Sequence, residues 1–420
     1  MNHGFEIWAS PEPTVARVAR DEYRDQLAET GHDRRDGDID LLAGLGVAAT
    51  RYPVLWEKTA PVDPTVVDLS WARRRLERLR ERGVDPVVTL LHHGSGPPYT
   101  SLVDPAFPEL FAGYAESVAR AFPWVRRWTP INEPLTTARF STLYGHWHPC
   151  GRDDHAAFGA AICQQALAML LAIAAVRRHI PAAQFVLTED LQGFTARDSS
   201  LAAYARHKHE RSFLSIELVM GRVVPGHPLF VYLTDACNVE RSVLRRIAER
   251  ASAPQVIGWN YYPNSERTLD RGVDGSIVNL ATVRERESGI SPLPLLRAAY
   301  DRLGLPFGIS EVHINADAAG RRRWLAQRYA DLVQLERAGL PVRMLGAWAA
   351  FGLIDWDSLL TRREGYREDG VFTFAAAGAV PRATLVSQAV TELARGDSLV
   401  VSDEPGWWER RGEPVRAVRA

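Results

Sequence analysis

The feature that most limits the fold is a regular alternation. Short apolar runs of strand character are separated, along almost the whole chain, by longer segments with helical spacing. Strands are predicted at residues 5–9, 47–55, 86–92, 125–132, 184–188, 256–262, 307–309 and 342–354. Helices are predicted at 39–45, 70–82, 107–121, 156–179, 202–220, 244–251, 293–303, 321–338 and 382–395, several of them stopped by a glycine such as Gly46, Gly83 or Gly339. Strands and helices in turn imply parallel strands with covering helices. Eight such units predict an α/β chain folded as a closed (β/α)8 TIM barrel, a single domain over residues 1–400, with residues 401–420 as a C-terminal tail or linker. The competing arrangement is a doubly wound open sheet. Against it, no Gly-x-Gly-x-x-Gly follows the first strand, and Gly44-Leu45-Gly46 ends a helix instead of opening one.

Composition sets the partners. Lysine plus arginine number 50 and aspartate plus glutamate 51, which leaves no global field to draw nucleic acid or a membrane surface. The longest apolar run, residues 166–176, is too short to span a bilayer and reads as a buried helix. Cys150, Cys163 and Cys237 form no Cys-x-x-Cys pair, and the opening MNHGFEIW has neither a basic start nor an apolar stretch. The expectation is a cytoplasmic protein without disulfides. The twelve tryptophans suit sugar rings, but they suit a core equally well. Oligomeric state is not legible.

In a barrel of this kind chemistry sits at the C-terminal ends of the strands. Those ends are predicted to carry Arg51 and Trp56, His92-His93, Asn132-Glu133, Glu189-Asp190, Asn260 and Tyr262, Ser310-Glu311, and Asp355 to Asp357. The proline after Glu133 biases that residue toward an extended conformation, as at a strand end. No Gly-x-Ser-x-Gly elbow and no phosphate-cradling glycine loop is present. Glu133 and Glu311 fall on well-separated strands, the arrangement glycoside hydrolysis needs: one carboxyl protonates the leaving oxygen and the other attacks the anomeric carbon or activates water. Two other readings remain open. His92 and His93 with Glu189 would suit a metal-dependent hydrolase; Arg51 would then be a plain ion-pair partner of Glu57.

Several stretches, in order from residue 5 to 374, resemble one family. "WTPINEP" is similar to the acid/base motif Thr-x-Asn-Glu-Pro of glycoside hydrolase family 1, the retaining β-glucosidases, and "PFGISEVH" to its nucleophile motif. "RYPVLWEKTAP", "VVTLLHHGSGPP", "YGHWHPCG", "GWNYYP", "GLIDWDSLL" and "GYREDGVF" resemble its further signature segments. The resemblance implies a carbohydrate substrate, no cofactor and no metal. It implies Glu133 as acid/base, Glu311 as nucleophile, Arg51 and Tyr262 as its partners, Asn132 at the 2-hydroxyl and His92 near the 3-hydroxyl, with Asn260 in the strand-six motif. The sugar clamp departs from the family. Its Gln is replaced by Glu12 or by nothing; its Glu and Trp become Ser358 and Leu359; its indole platform becomes Phe351, with Trp348 or Trp356 as substitutes. The altered clamp resembles an atypical branch, the family-1-like domain that in some bacterial proteins precedes a sugar-nucleotide reductase-like domain; with no dinucleotide fingerprint here, a stand-alone version is expected. Two variants of function follow. One is a sugar-binding domain with little turnover. The other is a 6-phospho-β-glycosidase, since that branch also has Ser at position 358 and here Arg362, Arg363, Tyr366 and Arg367 follow.

Overall fold

Eight parallel strands close into a barrel: β1 Glu6–Ala9, β2 Ala49–Pro53, β3 Asp85–His92, β4 Arg127–Asn132, β5 Gln184–Asp190, β6 Val256–Tyr261, β7 Phe307–Val312 and β8 Val342–Ala347. Each pairs with the next in chain order, and β8 returns to β1 through Glu6 opposite Met344. The predicted (β/α)8 fold is therefore observed. This computed structural model describes residues 3–19, 22–272, 275–281, 291–374, 376, 379–400 and 404–410. The barrel floor is plugged by Trp8, Ala49, Val87, Val186 and Met344, all buried and drawn from five different strands.

The outer shell follows the predicted periodicities. Its main helices are α1 Asp38–Gly44, α2 Ser70–Glu81, α3 Phe107–Ala121, α4 Pro134–Thr142, α5 His155–His179, α6 Ala202–Arg211, α7 Leu214–Val219, α8 Arg241–Ala248, α9 Leu293–Leu303, α10 Ala318–Arg337 and α11 Leu385–Ala394. Helix α5 starts on the Asp154 carboxylate, which accepts from the Ala157 N–H. It is long and apolar enough to cross a membrane by length and composition, but 78% of its apolar window is buried inside the protein. Thr384 opens α11 with a reciprocal bond to Ser387.

Four local expectations fail for identifiable reasons. The single helix expected at 202–220 is two, because the Ser212 hydroxyl bonds back to the His209 carbonyl at 2.6 Å and the chain tightens there. The strand expected at 342–354 stops at Ala347. The apolar residues after it, Trp348 to Leu353, line a buried loop that passes under Ser10, with Ala350 N–H bonded to the Ser10 carbonyl at 2.7 Å. The strand expected at 307–309 runs on to Val312, since Ser310 and Glu311 are polar yet still paired. Glu133 is not extended: it adopts φ 43°, ψ 60°.

Two excursions lay outside the alternation signal. One is a hairpin, Val15–Arg17 with Tyr23–Asp25. The other is a three-stranded sheet of Gly193–Ala196, Glu266–Arg271 and Ile277–Ala281. In the expected tail, Trp408 is buried edge-on to Trp324 at 5.5 Å, and Arg323 pairs with Glu409 at 2.5 Å. Residues 401–403 and 411–420 lie outside the described residues.

Candidate active site

Strand β4 ends at Asn132, and Pro134 begins α4, so the turn between strand and helix falls on Glu133 alone. A proline at the first helical position is pre-shaped for the helix. It disfavours the right-handed helical region for the residue before it. The left-handed conformation of Glu133 resolves this conflict and points the carboxyl across the mouth. There Oε1 accepts from Asn260 Nδ2 at 2.6 Å, and Oε2 lies 3.9 Å from His93 Nε2.

Glu311 arrives differently. In β7, Ile309 pairs with Trp259 but Glu311 pairs with Asn260, so Ser310 is an extra residue. This bulge sets Glu311 beside Asn260 on one face of the sheet. Gly346 accommodates it, since a Cβ there would strike the Ser310 carbonyl. Arg51 Nη2 and the Tyr262 hydroxyl each bond one oxygen of Glu311. The pairing of Arg51 with Glu311 is the one expected; the alternative pairing with Glu57 is not formed, and Glu57 accepts from the Gly96 N–H instead. Arg51 Nη1 donates to Asn132 Oδ1 at 2.7 Å, and the Thr188 hydroxyl donates to the same oxygen at 2.7 Å. That orientation turns Asn132 Nδ2 toward His92 Nε2 at 3.2 Å.

The electrostatics separate the two carboxyls. Burial pushes both upward. For Glu311 the charge of Arg51 and the Tyr262 hydroxyl oppose burial. For Glu133 the neighbouring Glu311 charge adds to burial, with smaller contributions from Asp190 and Glu189, so it lies well above the ordinary range. Burial also lowers His92 well below its usual value and His93 to about 3. Both imidazoles are neutral at pH 7.

The remaining expected residues divide. His92 stacks on Trp348 with ring centres 5.5 Å apart and planes 7° apart, and the Arg51 guanidinium sits 4.9 Å from the Trp348 ring centre. Glu12 joins this group: Oε2 accepts from Trp348 Nε1 at 3.2 Å, and burial together with the Glu311 charge raises it to about 8. Trp348 is therefore the indole brought to the carboxyls. Phe351, which stood at the platform position by sequence register, is instead buried against His32 and Phe372. Trp356 lies 5.7 Å from His93 and 6.2 Å from Trp147 by ring centres. Ser358 is buried, but its hydroxyl donates to the Asp355 carbonyl at 3.0 Å, within its own turn. Arg362 pairs with Glu364 at 3.0 Å and Arg363 with Glu22 at 2.8 Å, so both are engaged at the surface. Glu189 is taken by Leu135 N–H at 3.0 Å and Ser215 Oγ at 2.7 Å. Thus it does not combine with the two histidines, and no group of three metal-type side chains is found among the described residues. Ser310, expected at the end of strand seven, and Thr188, which had no distinguishing signal in the sequence, are both part of the hydrogen-bond frame.

Comparison with known proteins agrees with this fold. The profile described as Glycosyl hydrolase family 1 matches residues 3–240, more than half of the chain. The chain belongs to glycosyl hydrolase family 1. Among curated members, it is 29% identical over 166 residues to beta-glucosidase A of Thermotoga maritima, covering 37% of this chain and 36% of that protein. It is 29% identical over 191 residues to beta-glucosidase 4 of Oryza sativa subsp. japonica, covering 43% and 39%. The matched stretches thus span well under half the length of these relatives. A solved family 1 structure, the beta-glucosidase from Thermotoga maritima in complex with cyclophellitol, superposes with a TM-score of 0.76 at 16% identity. That match covers 95% of this chain and 99% of that one.

Proposed function

We propose that the chain is a retaining glycoside hydrolase acting on a β-glycoside by double displacement, with Glu311 as nucleophile and Glu133 as acid/base. The observation that carries this reading is the place of Asn260, whose amide bonds Glu133 at 2.6 Å and which stands opposite Glu311 in the β6–β7 register. Two carboxyls that share one asparagine as neighbour suit the short separation of roughly 5 Å used by retaining enzymes, not the wider gap that admits a water in inverting ones.

The reaction follows from the charges. Glu311, ion-paired with Arg51, attacks the anomeric carbon as the bond to the aglycone breaks. Glu133, holding its proton through burial and the Glu311 charge, gives it to the leaving oxygen. Once the sugar is esterified to Glu311, that charge is gone and the Glu133 pKa drops. Glu133 can then take a proton from the incoming water. Asn132 faces the 2-hydroxyl and His92 the 3-hydroxyl, with Trp348 as the apolar floor. Glu12 and the self-bonded Ser358 replace the usual clamp, which favours a modified glycone and an atypical branch of the family. The reaction needs no metal or cofactor, and it fits a cytoplasmic setting.

The test is a panel of aryl β-glycosides with neutral, phosphorylated, deoxy and oxidised glycones, turned over by wild type and by Glu311→Ala with azide. Turnover lost in the variant and restored as a glycosyl azide of inverted configuration supports the retaining pair. Absent turnover, with equal sugar binding by both proteins, sinks it in favour of a binding domain.

A further inference from the structure

The reaction outlined above gives Glu12 no step, yet this carboxyl stands among the residues that meet the sugar. It lies three residues beyond β1 and is 5% exposed. Its Oε1 accepts from the Thr14 N–H at 2.8 Å and its Oε2 from Trp348 Nε1 at 3.2 Å, both neutral donors. Its third neighbour is His92 Nε2, 3.7 Å from Oε1. Asn132 fixes the proton on that ring. The Oδ1 of Asn132 is taken by Arg51 and Thr188, so its Nδ2 donates to His92 Nε2 at 3.2 Å. His92 Nε2 is therefore an acceptor with the ring proton on Nδ1. Two acceptors face one another across 3.7 Å, with no hydrogen between them.

Glu12 thus has no cation of its own. Among the described residues, Glu12, Glu133 and Glu311 have one guanidinium among their bonded partners, Arg51, and it is engaged by Glu311 and Asn132. The next carboxyls, Glu189 and Asp190, lie beyond Glu133, where Arg139 comes within 4.0 Å of Asp190. A buried carboxylate held by neutral donors alone is costly. Burial, and then the Glu311 charge, hold Glu12 up at about 8 against its bonds from Thr14 and the charge of Arg51. A carboxylate offers about four lone-pair positions, and two of them are in use here. A sugar hydroxyl would bring one hydrogen and no charge. An ammonium brings several hydrogens and the missing charge.

The position says which part of the sugar is met. Glu12 follows β1, His92 ends β3 and Trp348 follows β8, whereas Glu133 follows β4 and bonds Asn260 of β6. Trp348 joins Glu12 to the site's centre, since the Arg51 guanidinium that bonds Glu311 lies over its ring. Glu12 is therefore on the side of the mouth away from the leaving oxygen. With Asn132 at the 2-hydroxyl and His92 at the 3-hydroxyl, a carboxyl 3.7 Å from His92 meets the substituent on carbon 3 or carbon 4.

We infer that Glu12 selects a glycone with a basic amine on carbon 3 or 4, an amino sugar held as its ammonium ion. The inference rests on the glycosidase reading above, and its test keeps the two apart. 4-Nitrophenyl β-glycosides of 3-amino-3-deoxy- and 4-amino-4-deoxyglucose, and of their galacto epimers, are compared with the hydroxyl parents on the full chain and on Glu12→Gln. The exchange keeps the size of the side chain and removes its charge. The 2-amino compound controls for general attraction to the carboxyls. For a 3- or 4-amine, kcat/KM should exceed that of the parent by roughly tenfold or more. That ratio should collapse to one or below in Glu12→Gln, while the ratio for the 2-amine changes little. The wild-type ratio stands as a test even where the variant fails to fold. The same sugars, as methyl β-glycosides, are titrated calorimetrically onto Glu133→Gln with and without Glu12→Gln. Turnover with an amine ratio near or below one, or with a ratio that Glu12→Gln leaves unchanged, overturns the inference and leaves the hydrolase standing. Absent turnover, with tighter binding of the 3- or 4-amines that Glu12→Gln abolishes, supports the inference and overturns the hydrolase. Absent turnover without amine-selective binding overturns both.

Discussion

Two sides of the barrel mouth differ in what their polar side chains are tied to. On the carboxyl side, Arg51, Asn132, Asn260 and Glu311 come from β2, β4, β6 and β7 and bond one another across the barrel. On the loop side, after β8, the Ser358 hydroxyl bonds the Asp355 carbonyl. Asp355 in turn bonds the Tyr366 N–H at 2.8 Å and Arg24 at 2.9 Å. The first set is positioned by strands that cannot move independently. The second is spent on shaping its own loop. The loop can therefore diverge while the carboxyls stay in register.

That contrast breaks most visibly at Glu133. Glu133→Gln should cut kcat by roughly 10²- to 10⁴-fold on poor leaving groups and far less on activated aryl ones; equal losses on both would remove its acid role. Next comes Arg51→Met. Without its counter-charge Glu311 rises further, so the acid limb of the kcat/KM profile should move up by roughly one to three pH units. An unmoved limb would mean that Arg51 does not keep the nucleophile ionised. A smaller effect is expected in Glu311→Gln, which removes one of the charges that raise Glu133. Carbon-13 NMR titration should show the Glu133 carboxyl titrating at lower pH than in wild type; no change would uncouple the pair. The smallest effect belongs to the loop. Ser358→Ala should lower stability by about 0.5–1.5 kcal/mol through its lost turn bond, while kcat/KM changes less than about twofold. A tenfold loss of kcat/KM at unchanged melting temperature would make Ser358 a sugar contact and collapse the distinction between the two sides.

Much of the carboxyl side was legible in the sequence because each residue sits at a strand end, in a short local pattern that names its neighbours. Asn132-Glu133-Pro134 marks a strand-to-helix turn, and the alternation of elements orders the strands. The conformation of Glu133 was not legible, since a proline excludes one region of backbone space without choosing between the others. The loop side was read less well. Trp348 to Leu353 is apolar because it is buried, and an apolar run gives the same signal in a strand as in a covered loop. Register along that run put Phe351 at the platform position, with Trp348 or Trp356 as substitutes; the chain's turn after Ala347 makes Trp348 the one at the site.

The bond between Ser310 Oγ and Asn260 Oδ1, at 2.6 Å, decides which end of the Asn260 amide faces Glu133. Ser310 reaches that far because Gly258 leaves room: a Cβ on Gly258 would lie 2.7 Å from the Ser310 hydroxyl. Gly258, Ser310 and Asn260 thus act as a key, its ward and its lock. An added Cβ at Gly258 would push against the Ser310 side chain that orients Asn260. A glycine well away from the carboxyls thus helps set the face that Glu133 meets.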